Sequence, residues 1–562
     1  MKQAFRFLLT LCLITTPVWT TPVWAANTPT RAPTGMVVSA NASSSAIGVE
    51  VMKRGGNAID AAIAVAFSLA VTHPTAGNIG GGGFLIHQES GGAATAYDFR
   101  ETAPAASHPE MFLVDGEYSS ELHHLSHLSV GVPGTVAGLY MAWEDSGTLP
   151  WKELIAPAIR QAREGIVVSD GLARSLRRVL PRMEKYPASI EKFTSDGEPM
   201  EVGELWRQPD LADTLERIAE AGPDGFYKGR TADLIVAEMQ RGGGIITHED
   251  LASYKPVRRE PIRGRYRDHE ILSMPPPSSG GVTLIQMLNI LEGFDIAGSG
   301  FGSADTLHVM IESMRRAYAD RARYLGDPDF VEMPLDRLSS KEYAEEQRKS
   351  IRDFMASGSS PDSFTWPAES METTHFSVID GDRNAVSLTY TLEYSYGSGI
   401  VVGDGGFLLN NEMGDFNAGP GLTDSTGLIG TPANLAAPGK RMLSSMTPTI
   451  LNKDGDVFMV TGTPGGRTII NTVLQTILNV IDHEASAQTA VDLGRIHHQW
   501  LPDVIYHEAL AFSPDTIKAL EERGHTFKQI GNLGVAEVIV VREDGLEGGV
   551  DRRQADGGAR GY

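Results

Sequence analysis

Residues 372–416 read ETTHFSVIDGDRNAVSLTYTLEYSYGSGIVVGDGGFLLNNEMGDF, and the reading of this stretch decides the fold. FSVID and AVSLTYTL alternate apolar and small polar residues at period 2, with the turn-forming GDRN (residues 381–384) between them. The pattern predicts a two-stranded hairpin, with Thr373 just before its first strand. By itself TTH is an ordinary strand start, because threonine favours strands. Its surroundings suggest chemistry as well. Upstream lies the polar, Pro-containing PAESME, and downstream Thr391 recurs in the partner strand, where the hairpin would return it towards Thr373. A hydroxyl nucleophile needs a base. A chain cut before Thr373 would supply one in its freed α-amine, whose reference pKa of about 7.7 suits proton transfer near neutral pH.

Working outward, the 562 residues are 41% hydrophobic and 21% charged, as in an ordinary globular chain. The formal net charge is −23 and no basic stripe interleaves with aromatics, which argues against a nucleic-acid partner. Residues 1–25 carry Lys2 and Arg6, the apolar run FLLTLCLI and then Val23-Trp24-Ala25, the pattern of a cleavable secretory signal. Cys12, the single cysteine, falls inside that segment and lacks the small neighbour of a lipoprotein signal, so export without a membrane anchor is expected. Disulfides and thiol catalysis are then excluded from the mature chain. Residues 356–372 (ASGSSPDSFTWPAESME) form the one linker-like stretch, directly before Thr373.

Several motifs invite chemistry and read better as structure. GNIGGGGF (residues 77–84) lacks the Lys-Ser/Thr of a phosphate loop, so its glycines point to tight reversal or close backbone approach. His123, His124 and His127 could share a helical face, but no supporting ligand spacing accompanies them, and surface or capping histidines are expected. Ser278 and Ser279 in MPPPSSGG lack the Gly-x-Ser-x-Gly setting of a nucleophile elbow and read as loop residues. His497 and His498 are adjacent, so their side chains diverge on regular structure, and both read as structural. Buried helices are predicted over residues 57–71 and 469–481. A packing helix is predicted over residues 305–325, capped by Asp305 and stopped by Gly326, and a late strand over residues 535–541.

The ordered set RGGNAIDAAIA, THPTAGNIGGGGF, DFRETAP, PGTVAGL, MPPPSSGG, YADRARYLGDPDF, TTHFSVID, LTYTL, LLNNEMGDF, KRMLSSMTPT, TGTPGGRTIINTVLQ and RIHHQWLP resembles the γ-glutamyltransferases, self-cleaving N-terminal nucleophile hydrolases. The resemblance runs from about Met36 to Tyr562. It implies an α+β fold, a four-layer αββα sandwich, cut between Glu372 and Thr373 into a large subunit (residues 26–372) and a small one (residues 373–562) that stay together as a heterodimer. It also implies an exported, periplasmic or secreted enzyme that moves the γ-glutamyl group of glutathione or a similar amide to water, an amino acid or a dipeptide, with no metal or organic cofactor.

On the matched positions Thr373 is the nucleophile, Thr391 orients it, and Gly465 and Gly466 form the oxyanion hole. Arg100, with Ser444 and Ser445, grips the substrate's α-carboxylate, while Glu412 and Asp415 take its ammonium. Glu393 stands where familiar relatives carry asparagine, so three carboxylates are expected around one ammonium. Residues 419–441 match a lid loop, with Thr426 where many bacterial members have tyrosine. The nearest alternative is another acylase of the superfamily, acting on glutaryl or cephalosporin side chains, or a poly-γ-glutamate depolymerase. A non-catalytic secreted binding protein is the alternative of a different class.

Overall fold

A computed structural model describes residues 28–360, 373–422 and 431–562. The signal segment with Cys12, the residue Glu372 and the lid position Thr426 lie outside the described residues. The described chain is α+β and is built on two seven-stranded sheets whose neighbouring strands all run antiparallel.

The predicted hairpin forms the middle of one sheet. Thr374–Ile379 pairs with Ala385–Thr391 in the register Thr374↔Tyr390 to Ile379↔Ala385. Outside the hairpin lie Gly82–Gln88 and then Ala94–Phe99 on one side, and Met36–Ser39 and then Gly558–Gly561 on the other. Both hairpin strands are buried along their whole length, so each face must be covered. Alternation divides the faces. Phe376 and Val378 pack into a cluster with the helix Ala58–Thr72, while Ile379 and Ala385 join a second cluster with Met459, Ile539 and the helix Thr468–Ile481.

The second sheet runs from Thr30–Ala32 through Gly545–Val550, Glu537–Arg542, Asp456–Gly462, Thr449–Lys453 and His269–Ser273 to Ile262–Tyr266. Polar contacts cross between the sheets: Ser387 Oγ donates to the Thr461 carbonyl at 3.0 Å and Ser377 Oγ to the Glu537 carbonyl at 3.1 Å. A Cβ on Gly462 would stand 2.4 Å from the His375 ring, so glycine is what permits this close approach.

Helix predictions hold with shifted ends. Asn57 caps Ala58–Thr72 through a capping box with Asp60, and every residue of that helix is buried. The packing helix spans Ala304–Tyr324, but its N-cap is Ser303, whose hydroxyl accepts from Thr306 N–H at 3.1 Å. Asp305 is instead a first-turn acid paired with Arg523, which its charge suits at a helix N-terminus. Leu325, in extended backbone, ends the helix one residue before Gly326.

Candidate active site

The ends of strands from both sheets meet at one rim. Thr373 precedes Thr374–Ile379, Thr391 ends its partner, Arg100 follows Ala94–Phe99, and residues 463–466 follow Asp456–Gly462. Thr373 and Thr391 therefore face one another, and Thr373 Oγ1 donates to Thr391 Oγ1 at 3.3 Å. Thr391 Oγ1 also accepts the Glu393 N–H at 2.8 Å, which fixes its orientation. The Thr391 carbonyl is held by Asn78 Nδ2 at 2.8 Å, and a Cβ on Gly81 would sit 2.0 Å from that carbonyl oxygen. The glycine run thus serves close backbone approach, as its composition implied.

Gly465 (φ +134°) and Gly466 (φ +54°) precede the helix Thr468–Ile481, and their carbonyls accept the Thr468 and Ile469 N–H groups at 3.1 Å each. Gly465 shares a cavity wall with Thr373. A Cβ there would come 2.5 Å from Thr468 Oγ1.

Arg100 is wholly buried and ion-paired to both Glu412 and Asp415, and its Nε donates to the Met442 carbonyl at 3.3 Å. Burial alone would lower its pKa, but the two carboxylates more than offset this and hold it charged. Counter-charge is what makes a buried guanidinium tolerable. Glu412 feels the opposing balance. Burial pushes its carboxyl up, Arg100 pulls it down and Asp415 and Glu393 push it up again, leaving it raised to about 8. Glu101, 3.8 Å from Arg100, is raised well above the carboxylate range by burial and by Glu412. Neither Glu101 oxygen, nor the second oxygen of Glu412, has a hydrogen-bond partner among the described residues.

Ser444 Oγ accepts the Met446 N–H at 3.1 Å, and Ser445 Oγ accepts from Arg321 Nη2 at 2.8 Å. Ser278 and Ser279 support this turn, donating to the Met446 and Ser444 carbonyls at 2.6 Å each. Glu393 adopts left-handed backbone (φ +76°), and its carboxylate takes the Asn411 amide and lies 3.5 Å from His124 Nδ1. It thus faces the Glu412 segment rather than Thr391.

The histidine expectation is corrected here: His123, His124 and His127 are buried, not on the surface. His123 Nε2 donates to the Met413 carbonyl at 3.1 Å, His127 meets Glu238 at 3.0 Å, and His124 stacks on Tyr394 with ring centres 5.2 Å apart. Burial lowers His124 to about 4, so it is neutral at pH 7. Together these rings back the turn that carries Glu412 and Asp415. Sequence spacing missed them, along with Arg321, Asn411 and Tyr394, because each contact joins segments far apart in the chain. His497 and His498 are buried among Asn471 and Asp503, in keeping with structural roles. No group of three or more potential metal ligands occurs among the described residues.

Fold and site together define an α+β protein in which paired threonine hydroxyls at a sheet rim stand beside glycine N–H groups and a buried cation–carboxylate cluster. The sequence model of the γ-glutamyltranspeptidase family matches residues 44–561. A glutathione hydrolase proenzyme of Escherichia coli K12 is 49% identical over 543 residues, 95% of this chain and 93% of that protein. Among solved structures, a cephalosporin acylase from Bacillus halodurans superposes with a TM-score of 0.85 at 30% identity, covering 98% of this chain and 99% of that one. A Helicobacter pylori γ-glutamyltranspeptidase chain does so with a TM-score of 0.55 at 45% identity, covering 56% and 90%. The chain belongs to the γ-glutamyltranspeptidase family, and it is an enzyme of that type rather than a non-catalytic binding protein.

Proposed function

We propose that this chain is an exported precursor that cuts itself before Thr373, then hydrolyses glutathione and other γ-glutamyl amides or transfers their γ-glutamyl group to amino acids and dipeptides. The observation that carries this reading is the Thr373–Thr391 hydroxyl pair at the strand end, beside the Arg100–Glu412–Asp415 cluster. In the first step Thr373 Oγ1 adds to the Glu372 carbonyl. The C–N bond breaks as the ester forms, and the freed nitrogen takes the hydroxyl proton. Water then cleaves the ester, leaving a carboxylate on Glu372 and a free amine and hydroxyl on Thr373.

In turnover the same hydroxyl adds to the donor's γ-carbonyl, while the α-amine takes its proton and returns it to the departing nitrogen. Gly465 and Gly466 N–H groups receive the developing oxyanion at the N-terminus of a helix, where a single donor contributes roughly 3 kcal/mol. Water or an acceptor amine then resolves the γ-glutamyl ester by the reverse steps. Every group in this scheme is the chain's own. The donor's carboxylate takes Arg100, with the Ser444 and Ser445 hydroxyls alongside, and its ammonium takes Glu412, Asp415 and Glu393. A zwitterion thus replaces the two internal ion pairs of Arg100 with pairs to its own carboxylate and ammonium. A donor without the ammonium would strip Arg100 from buried acids and give them nothing in return, which disfavours it.

Helices on the outer faces of both sheets support a four-layer αββα arrangement, and the residue pattern of positions 1–25 supports export. No helix of the described residues is long and apolar enough to cross a membrane. The acylase reading is kept open by the high structural similarity to the B. halodurans cephalosporin acylase. Turnover of γ-glutamyl-p-nitroanilide against glutaryl-p-nitroanilide separates the two, and a preference for the glutaryl compound would reverse the assignment. For processing, N-terminal sequencing of the small chain is expected to begin at Thr373, and any other start would displace the nucleophile. Thr373→Ala is expected to remain one inactive chain.

A further inference from the structure

A cavity of about 480 Å3 opens at Thr373 and Gly465, yet Arg100, Glu412, Asp415 and Ser444 take no part in its wall. Sheet order explains the separation. Arg100 follows a strand on one side of the hairpin, whereas Ala40 and residues 553–556, which line the cavity, flank strands on the other side. The reacting hydroxyl therefore stands between the buried Arg100 cluster on one side and this cavity on the other. The cluster around Arg100 takes the γ-glutamyl half in the reading above. The amine half must then occupy the cavity.

One wall of that cavity is the helix Asp170–Met183. Leu176, Val179, Leu180 and Met183 pack into the core, and the residues that line the cavity recur at helical spacing: Gly171 and Leu172, then Arg174 and Ser175, then Arg178. Arg174 is paired to Asp170 at 2.9 Å. Arg178 makes no hydrogen bond or ion pair among the described residues, so its charge is uncompensated. Of the other ionisable groups of the wall, Glu537 is buried, and burial raises its carboxyl well above the carboxylate range. Asp556 accepts from Ser169 Oγ at 2.7 Å, Arg553 is held by Glu508 and Asp551, and burial keeps His73 near 4 and hence neutral. In a chain of net charge −23, an uncompensated guanidinium at the mouth of a reactive cavity is a local attractor for anions.

We propose that this cavity is the subsite for the departing and accepting amine, and that Arg178, with Arg174 beside it, recognises the terminal carboxylate of a short peptide held there. The inference rests on the acyl-transfer reading of Thr373. Because aminolysis retraces acylation, the acceptor nitrogen must approach from where the leaving nitrogen departed, so one subsite serves both. Its volume suits a dipeptide: two extended residues span about 7 Å, and ligand pockets begin at roughly 300 Å3. The fork of a guanidinium matches a carboxylate with two hydrogen bonds.

The test compares two donors that share the γ-glutamyl half. Glutathione releases a peptide with a carboxylate, whereas γ-glutamyl-p-nitroanilide releases an amine without one. In Arg178→Glu the ratio of kcat/KM for glutathione over the anilide is expected to fall about tenfold. Arg178→Ala is expected to lower it less, and Arg178→Lys to retain most of it. Arg177→Ala, on the exposed face of the same helix and paired to Glu201, is expected to leave the ratio alone. With glycylglycine and its C-terminal amide as acceptors, the parent's preference for the acid is expected to shrink in Arg178→Glu and at high salt. A ratio within twofold of the parent in both Arg178→Glu and Arg178→Ala would overturn the proposal. If the parent failed to turn over the anilide at all, the acyl-transfer reading itself would fall, so the two failures are distinct.

Discussion

At the residue scale, Glu393 decides more than its position suggests. Its backbone N–H orients Thr391 while its carboxylate lies beside Asn411 and His124, on the Glu412 side. A non-glycine residue at φ +76° is strained, and asparagine tolerates the left-handed region better than glutamate. Glu393→Asn is therefore expected to relieve strain on the order of 1 kcal/mol and to remove one of the charges that hold Glu412 near 8. The sign follows from that shift. A carboxyl raised above its ordinary 4.5 favours the fold fully at low pH and loses that contribution as pH rises through its folded value. The variant's charge-related gain in Tm should thus be small at pH 5 and larger at pH 8.5. The ammonium site needs Glu412 ionised, so the rise of kcat/KM with pH is expected to move to lower pH. A profile that stayed in place would make Glu393 a hydrogen-bonding substitute for asparagine and nothing more.

At the element scale, the segment from Asp456–Gly462 into Thr468–Ile481 would carry the proposed oxyanion role in backbone alone. Gly465→Ala would force a residue with a side chain into φ +134° and press its Cβ to 2.5 Å from Thr468 Oγ1. The expected result is a displaced helix N-terminus and a loss of about 3 kcal/mol in transition-state stabilisation. This should be read as a kcat some hundredfold lower with KM for the donor little changed; an equal loss carried by KM would place Gly465 in binding instead. Such elements were legible to different degrees. The hairpin at residues 374–391 and the apolar helix read over residues 57–71 followed from a period-2 alternation and an apolar run, because a local pattern fixes each. The cap of the helix Ala304–Tyr324 was misplaced by two residues, since Ser303 and Asp305 are both good caps in isolation. The burial of His123, His124 and His127 had no local signal at all. It arises from partners such as Met413 and Glu238, more than a hundred positions away. Arg100 was read as a clamp for a substrate carboxylate only through resemblance, and its direct pairing with Glu412 and Asp415 emerged from the packing.

At the scale of the whole molecule, each sheet interleaves strands from both sides of residue 372. The hairpin of residues 374–391 is flanked by Met36–Ser39 and Gly82–Gln88, and Gly558–Gly561 returns to pair with Met36–Ser39. In the other sheet Thr449–Lys453 pairs with His269–Ser273, and Gly545–Val550 with Thr30–Ala32. A cut before Thr373 would remove one covalent bond and none of these ladders. A small chain taken alone would expose the edges of both sheets and the apolar surface they share, a state that aggregates. The processed protein is therefore expected to behave as an obligate pair. The two chains should co-elute as one 1:1 species in native mass spectrometry, including at high salt, because the shared core is apolar rather than ionic. In denaturant, far-UV circular dichroism and subunit separation should follow one transition, with no folded small chain on the way. A small chain that separated in native buffer and kept its near-UV signal would show that the sheets are not the bond between them.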